Sequence, residues 1–466
     1  MIEYTVMNEE TEKNRIVFEE LPVPKAMAQM AVPMIISQLI VLIYNIGDTF
    51  FLGRTGNPYM VAGAALILPV YNLSIMFANI SGTGGGTLIA RLLGAGREND
   101  AAKVSSFSFW FALISAFTFA VCTMFFMDPL LRLLGASGNT MDYARQYATC
   151  VVVIGGVPTI LSMTLGNLIR NAGRAKEAGI GMSLGGIINI VLDPLFMFVI
   201  LPKGNEVLGA GMATAISNFV ACIYFLVLSR RMNSGIINLS HKTETPGKEE
   251  LKSFFVVGIP AALGPFLFDI DYILLDRLAS GYSDIALAAI GIVLKAERFP
   301  LNIGVGLCLG MVPLAAYNYS AGNITRMEEI VRFTRTTGVI VSVASIILYE
   351  IFAPQIMSFF ISDAATVEIG SGFLRARALA TVMMFLCFSL LNFFQAVGKG
   401  GIAMFLVVLR WAMVNIPMLF ILNRIFGMYG IVWSQLVSDS LVALISYIIY
   451  VRFRKKLDTE KLPGAC

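Results

Sequence analysis

VPMIISQLIVLIYNIGDTFFLG, residues 32–53, is apolar for most of its length, yet holds Pro33 near one end and Asp48 near the other. Wound as a helix rising 1.5 Å per residue, a run of this length crosses the roughly 30 Å of hydrocarbon in a bilayer. It reads as a membrane span, and it raises the question of what an ionisable group does inside one.

Comparable runs recur at residues 59–90, 105–127, 143–169, 177–201, 207–228, 254–275, 285–316, 336–352, 373–397, 401–426 and 428–450, while the first extends over 27–53. At about 20 residues per crossing these make roughly twelve spans. The 466 residues are 57% hydrophobic and 14% charged, with a mean hydropathy of +0.77; soluble domains sit near 45–50% apolar and 25% charged. The expected fold class is therefore all-α and integral to the membrane.

Loop charges orient it. With both termini placed in the cytoplasm, inward segments carry Lys and Arg roughly three times as often as outward ones, Arg375 and Arg377 being counted among the outward. The net charge of +4 is this bias and implies no nucleic-acid partner. Six cysteines without paired spacing suggest neither a disulfide framework nor a zinc site. The single histidine, His241, falls in the central loop, so histidine catalysis is not expected, and neither is an enzyme.

Several marks recur between the halves at an offset that drifts slowly: Pro33 with Pro260, Gly96 with Gly322, Gly173 with Gly398, Pro194 with Pro417, and Gly211 with Gly430. Such drift is what a duplication with unequal loops produces. Six helices per half leave both halves in the same orientation, related by an axis along the membrane normal and enclosing a central cavity. The expected division is a cytoplasmic tail over 1–25, an N-lobe over 26–230, a cytoplasmic inter-lobe loop over 231–249, a C-lobe over 250–454 and a tail over 455–466. A duplicated bundle of this kind points to a transporter.

The duplication does not account for the buried polar groups. In NIVLDPLFMF, residues 189–198, Asn189 and Asp193 are four apart and share a helix face. Met182 lies seven before Asn189 on that stripe, and Gly185 and Gly186 between them leave room for a ligand or a close helix. In the first span Ser37, Tyr44 and Asp48 form another stripe with Gln38 and Asn45 beside it; in the sixth, Thr214 precedes Ser217 and Asn218. A charge at mid-membrane costs roughly 2.5–3.5 kcal/mol. Two carboxylates close together in low dielectric cannot both ionise cheaply, so such a pair can hold a proton, or ionise fully when Na⁺ arrives. Hard oxygen donors without Cys or His suit those ions rather than zinc or copper. Pro194 interrupts the helix beside Asp193 and reads as a hinge.

The second half carries Asp269, Asp271 and Asp276, then Lys295 and Glu297. Asp269 and Asp276 share a face, while Asp271 points elsewhere. Two readings stand side by side: Asp269, Asp276 or Glu297 line the cavity with Tyr44 and Asn45 and attract cationic cargo, or these acids pair internally with Lys295, Arg298 and Arg277. SGTGGGTL, residues 81–88, lacks the closing Gly-Lys-Ser/Thr of a nucleotide loop and reads as close helix packing or a flexible helix end.

The order and spacing of VPMIISQLIVLIYNIGDTFFLGRTG, RLLGAG, RNAGRAK, NIVLDPLF, LGAGMATAIS, AYNYSAGN, QAVGKG, LRWAMVNIPM and FGMYGIVWS resemble the multidrug and toxic compound extrusion (MATE) transporters from about residue 25 to 450. That resemblance implies twelve helices in two lobes forming a V, and export of organic cations or drugs in exchange for H⁺ or Na⁺. For the DNA-damage-inducible type of prokaryotic member it implies a first-lobe ion site at Asp48, Asn189, Asp193 and Thr214, with Met182 nearby; these are the positions the stripes select. The acid that another bacterial branch carries in its tenth helix is missing from ARALATVMMFLCFSLLNFFQAVG.

The leading expectation is thus a monomeric antiporter in the plasma membrane, with Na⁺ or H⁺ as coupling ion and no other cofactor. Two alternatives stay open. A flippase for lipid-linked or polysaccharide cargo would need a basic cavity, for which Lys295 and Arg410 are available. A prenyltransferase would need paired Asp-rich motifs, of which FDIDYILLD is one partial match.

Overall fold

The structure is a computed structural model that describes residues 15–232 and 235–459. Residues 1–14 of the expected N-terminal tail (with Glu3, Glu9, Glu10, Glu12 and Lys13), 233–234 of the central loop and 460–466 of the C-terminal tail (with Lys461) lie outside the described residues.

Among the described residues all regular structure is helical. Ten helices among the described residues are long and apolar enough to cross a membrane, or up to twelve if each of two bent pairs is one span. In chain order the spans are α1 (Val23–Arg54), α2 (Pro58–Gly94), α3 (Glu98–Phe125), α4 (Met141–Ile154 with Gly156–Asn171), α5 (Ala175–Ile200) and α6 (Glu206–Arg231). The second set is α7 (Lys248–Ser280), α8 (Asp284–Ser320), α9 (Ile324–Phe360), α10 (Ala364–Ala378 with Thr381–Ala396), α11 (Gly400–Phe426) and α12 (Met428–Leu457). Each apolar run of the sequence falls in one of them, to within two residues at its end.

The halves repeat each other in detail. α4 and α10 occupy equivalent places and are bent by 45° and 44°. Pro33 and Pro260 lie inside α1 and α7. Gly96 and Gly322 close the turns after α2 and α8 with φ of +70° and +76°, a left-handed conformation open to glycine at little cost. Matching turns demand matching glycines.

The cores show how the lobes meet. At one end Leu52, Ile67, Val70, Tyr147 and Val207 form a cluster drawn from α1–α6 alone. Tyr272, Ile290, Phe373, Leu419 and Ile431 form another from α7–α12 alone. At the opposite end, which bears both termini, Met27, Met30 and Ala31 share one core with Met311, Leu314 and Phe393, and Phe254 joins the core of the first lobe. The lobes thus share a core at the terminal end and keep separate cores at the other, the arrangement of a V.

Glycine makes the joint tight. A methyl on Gly306 or Gly310 of α8 would lie 2.6 Å from the Cα of Ile35 or Ala31 in α1. A methyl on Gly84 of α2 would lie 2.5 Å from the carbonyl oxygen of Phe254 in α7, and one on Gly258 would lie 2.5 Å from that of Ile80. Without side chains the helix backbones touch, and dispersion along the contact replaces the hydrophobic drive that lipid cannot supply. The glycine run 82–86 is therefore a packing surface, with Gly82, Gly85 and Gly86 set against Asn167, Ser108 and Asn171.

A short segment ahead of α1, Ile16–Glu20, crosses to the other lobe. Phe18, 1% exposed, stacks on Tyr317 of α8 with centroids 4.5 Å apart. Arg326 of α9 donates to the carbonyls of Phe18 and Leu21 at 2.7 and 2.6 Å, and Tyr317 donates to Glu19 at 2.6 Å. Burial alone would raise the Glu19 carboxyl, but hydrogen bonds from Arg15 and Tyr317 outweigh it and hold the group below the ordinary range.

Candidate functional site

Four of the expected cation-site residues come together in the first lobe. Asn189 of α5 donates to Asp193 one turn along (3.3 Å) and to the Thr214 hydroxyl of α6 (3.3 Å). Asn189 is 3% exposed and Asp193 0%. Asp48 approaches from α1 to within electrostatic reach of Asp193. Tyr147 of α4 donates to Asp48 Oδ2 at 3.3 Å. Beside it the Tyr71 hydroxyl sits among Asn218, Thr159 and Tyr44.

Local sequence explains this convergence. Gly186 admits α1 against α5, since a methyl there would lie 2.7 Å from Ile40 and 3.2 Å from Tyr44. Gly186 thus serves a close helix, and through it Asp48 reaches α5. Pro194 has no N–H, so the Ile190 carbonyl loses its helical partner; just beyond, the helix widens and Leu201 N–H donates five residues back to Phe196 at 3.2 Å. Asp193 sits one residue before this gap in the backbone hydrogen bonding of a continuous helix.

Asp48 Oδ1, Asn189 Oδ1 and Asp193 Oδ2 are buried without a hydrogen-bond partner among the described residues. No basic side chain there compensates either carboxylate. Buried oxygens of this kind are unfavourable unless a proton or a cation meets them. Two carboxylates, an amide and a hydroxyl form a hard, oxygen-only set suited to H⁺ or Na⁺. No group of three or more His, Cys, Asp or Glu placed to hold a metal occurs among the described residues.

Met182 does not join them. Its spacing of seven puts it two turns, about 10 Å, nearer the terminal end, where it faces Gly166 within the apolar core of the first lobe. Ser37 and Asn45 donate back into α1, to the carbonyls of Met34 (2.9 Å) and Val41 (2.8 Å).

The second lobe corrects the sequence reading more deeply. Glu297 is 4% exposed and paired through two hydrogen bonds, 2.7 and 3.2 Å, with Arg377 of α10. It faces the lobe interior rather than the cavity, and its partner is none of the three cations proposed for it. Arg377, counted as an outward loop charge, is itself 1% exposed inside the lobe. Arg410, which seemed available to anionic cargo, is bound through 2.7 and 3.1 Å bonds to Asp439 of α12. Asp271 is 1% exposed and lies near Arg377, Asn415 and Arg410. Asp276 is half-buried. Asp269 remains at the lobe boundary, where Asn72 of α2 donates to it at 2.6 Å.

Tyr147 and Asp439 escaped the sequence reading, and Arg377 entered it only as a loop charge. Asp439 carried a usable signal, an acid within the apolar run 428–450. Tyr147 stands 99 residues from Asp48, and no local pattern links them.

The MatE family model matches the chain twice, over residues 33–195 and 260–421. The chain belongs to the MatE family. The two matches begin at the paired prolines Pro33 and Pro260, one in each lobe. Multidrug export protein MepA of Staphylococcus saprophyticus is 33% identical over 444 residues, covering 95% of this chain and 97% of that one. MepA of Staphylococcus aureus is 34% identical over 448 residues, covering 96% and 98%. Among solved structures, a multidrug resistance MATE transporter of the MOP superfamily in an outward-facing conformation superposes with a TM-score of 0.88 at 22% identity, covering 96% and 98%. That likeness supports the MatE fold: two six-helix lobes around a central cavity.

Proposed function

We propose that this MatE protein is a secondary antiporter that exports organic cationic or amphiphilic compounds in exchange for H⁺ or Na⁺. The coarser part follows from family and fold: it is a multi-pass membrane transporter of the multidrug-efflux type. The finer part rests on the three unpartnered oxygens of Asp48, Asn189 and Asp193.

The coupling can be derived from α1. One half of that helix carries Asp48 to α5; the other half carries Ala31 and Ile35, which lie on α8 across the seam. Pro33 lies on the seam side and nests against Gly179 of α5. A proton or Na⁺ taken up by the two carboxylates removes their repulsion and draws α1 toward α5. The pull acts on the seam through the same helix, and the gap at Pro194 lets α5 follow. With the termini in the cytoplasm, as the loop charges place them, the parted end faces outward and the seam closes the inner side. Ion entry from outside then favours release of the seam. One charge descending about 100 mV supplies about 2.3 kcal/mol, enough for roughly a fiftyfold gradient of a neutral load.

Of the two cations available to a flippase, Lys295 and Arg410, the second is neutralised by Asp439, which disfavours that reading. Efflux of cationic dyes from proteoliposomes, under separately imposed pH and sodium gradients, tests the proposal. Gradient-driven efflux lost in Asp48→Asn and Asp193→Asn supports it; native protein that moves no dye under either gradient refutes it.

A further inference from the structure

The second lobe holds a cation on aromatic rings at the point where the lobes begin to part. The guanidinium carbon of Arg298 (α8) lies 6.0 Å from the ring centroid of Phe268 and 5.6 Å from that of Tyr272, both on α7. Those rings touch with centroids 4.3 Å apart, and Trp411 of α11 meets Phe268 edge-on at 5.1 Å. Asp269, next to Phe268, is within electrostatic reach of Arg298.

We propose that Arg298 is the resident occupant of a cation niche, and that a flat organic cation displaces it from Phe268, Tyr272 and Asp269 during transport. The proposal rests on the cationic-cargo reading above and names the place where the charge of the cargo is held.

Three observations carry it. The first is location. Asn72 and Asp269 belong to different lobes and are hydrogen-bonded. Asp269 is eleven residues beyond the Gly258 seam, about 16 Å along the helix; past it lie the separate cores of the two lobes. The niche stands at that boundary, its Phe268 and Asp269 half-buried and its Tyr272 set into the core of the second lobe. The second is how loosely Arg298 is held. Arg377 and Arg410 are buried in two-point bonds to carboxylates. Arg298 is half-buried and has no carboxylate at ion-pair distance among the described residues. Its attachment to the rings and to Asp269 is exchangeable.

The third is chemistry. Guanidinium is planar, delocalised and weakly hydrated, so it stacks on aromatic faces as an ammonium does not. Flat dye cations share those properties and offer a larger face. Asn72 and Asp269 tie the two lobes together, so a cargo that claims Asp269 also competes with that tie.

The test is binding of ethidium to purified transporter in detergent, followed by fluorescence polarisation. Arg298→Gln and Arg298→Met vacate the rings, so each tightens ethidium binding by about tenfold; Asp269→Asn and Phe268→Ala weaken it by a similar factor. Lys295→Gln removes an equal charge one turn away, and leaves affinity unchanged if ring occupancy rather than net charge is decisive. Arg298 variants that melt like the native protein but bind ethidium no tighter overturn the proposal, and so does a Lys295→Gln gain equal to theirs. Either result leaves the antiport reading intact, because that reading fails only when native protein shows no gradient-driven efflux.

Discussion

The Tyr147 hydroxyl on α4 donates to Oδ2 of Asp48 on α1 across 3.3 Å, leaving Oδ1 of the same carboxylate without a donor among the described residues. Replacing Tyr147 with Phe removes one hydrogen bond, worth about 1 kcal/mol, while the fold persists. Because the bond orients a coupling carboxylate without being the ion ligand, gradient-driven efflux falls severalfold in Tyr147→Phe. It falls to background in Asp48→Asn. Initial dye-efflux rates in matched proteoliposomes check the order; equal rates for native and Tyr147→Phe protein would remove Tyr147 from the site.

The seam between α1 and α8 has no space for a side chain at Gly310. Gly310→Ala places a methyl against the Ala31 backbone, and overpacking of this kind costs about 1–3 kcal/mol. The lobes then part more often at the terminal end. Ile35 of α1 faces this seam, lying against Gly306. In a protein whose only cysteine is that of Ile35→Cys, Gly310→Ala speeds labelling by a thiol reagent; an unchanged rate would mean the seam absorbs the methyl.

Glu297 and Arg377 are fully desolvated partners. Removing one of them strands the other, at about 3–5 kcal/mol, whereas replacing both by apolar groups is close to neutral. Thermal melting in detergent therefore drops sharply for Glu297→Gln and for Arg377→Met, and recovers in Glu297→Leu with Arg377→Met. If Glu297 instead served the cargo, the single variants would melt normally and lose dye binding.

The N-terminal segment gives a pH prediction with a definite sign. Glu19 is held below its ordinary value of 4.5 when docked. A depressed carboxyl contributes its docking energy above the ordinary value and loses it as pH falls through the docked one. An environment-sensitive label on Ile16→Cys therefore reports a docked segment, unchanged between pH 6 and 8, and release only in acid below about 4.5. Release between pH 6 and 8 would contradict the docking shown by Arg326 and Tyr317.

How much of this was legible in the sequence depends on the range of each interaction. Twelve spans and two like-oriented halves follow from run length and from paired glycines and prolines, which are local signals. Asn189 and Asp193 were readable because a helix places residues four apart on one face. At Met182 the stripe is right, but the spacing of seven already sets the residue two turns away from Asn189. Spacing failed for Glu297 and Arg377, whose contact spans 80 residues; Arg377, near the edge of an apolar run, looked like a loop charge. An ion pair buried between helices leaves no periodic trace, only two charges in places where each alone would be unfavourable.

The coupling of Asp48 and Asp193 is tested most directly by counting ions moved per cargo in proteoliposomes loaded with ethidium, using a pH-sensitive dye and radioactive sodium in parallel. Native protein is predicted to move H⁺ or Na⁺ against ethidium, and both the ion and the dye fluxes vanish together in Asp48→Asn and in Asp193→Asn. If either variant exchanges ion for ethidium at the native rate, the two carboxylates are not where the ion is coupled.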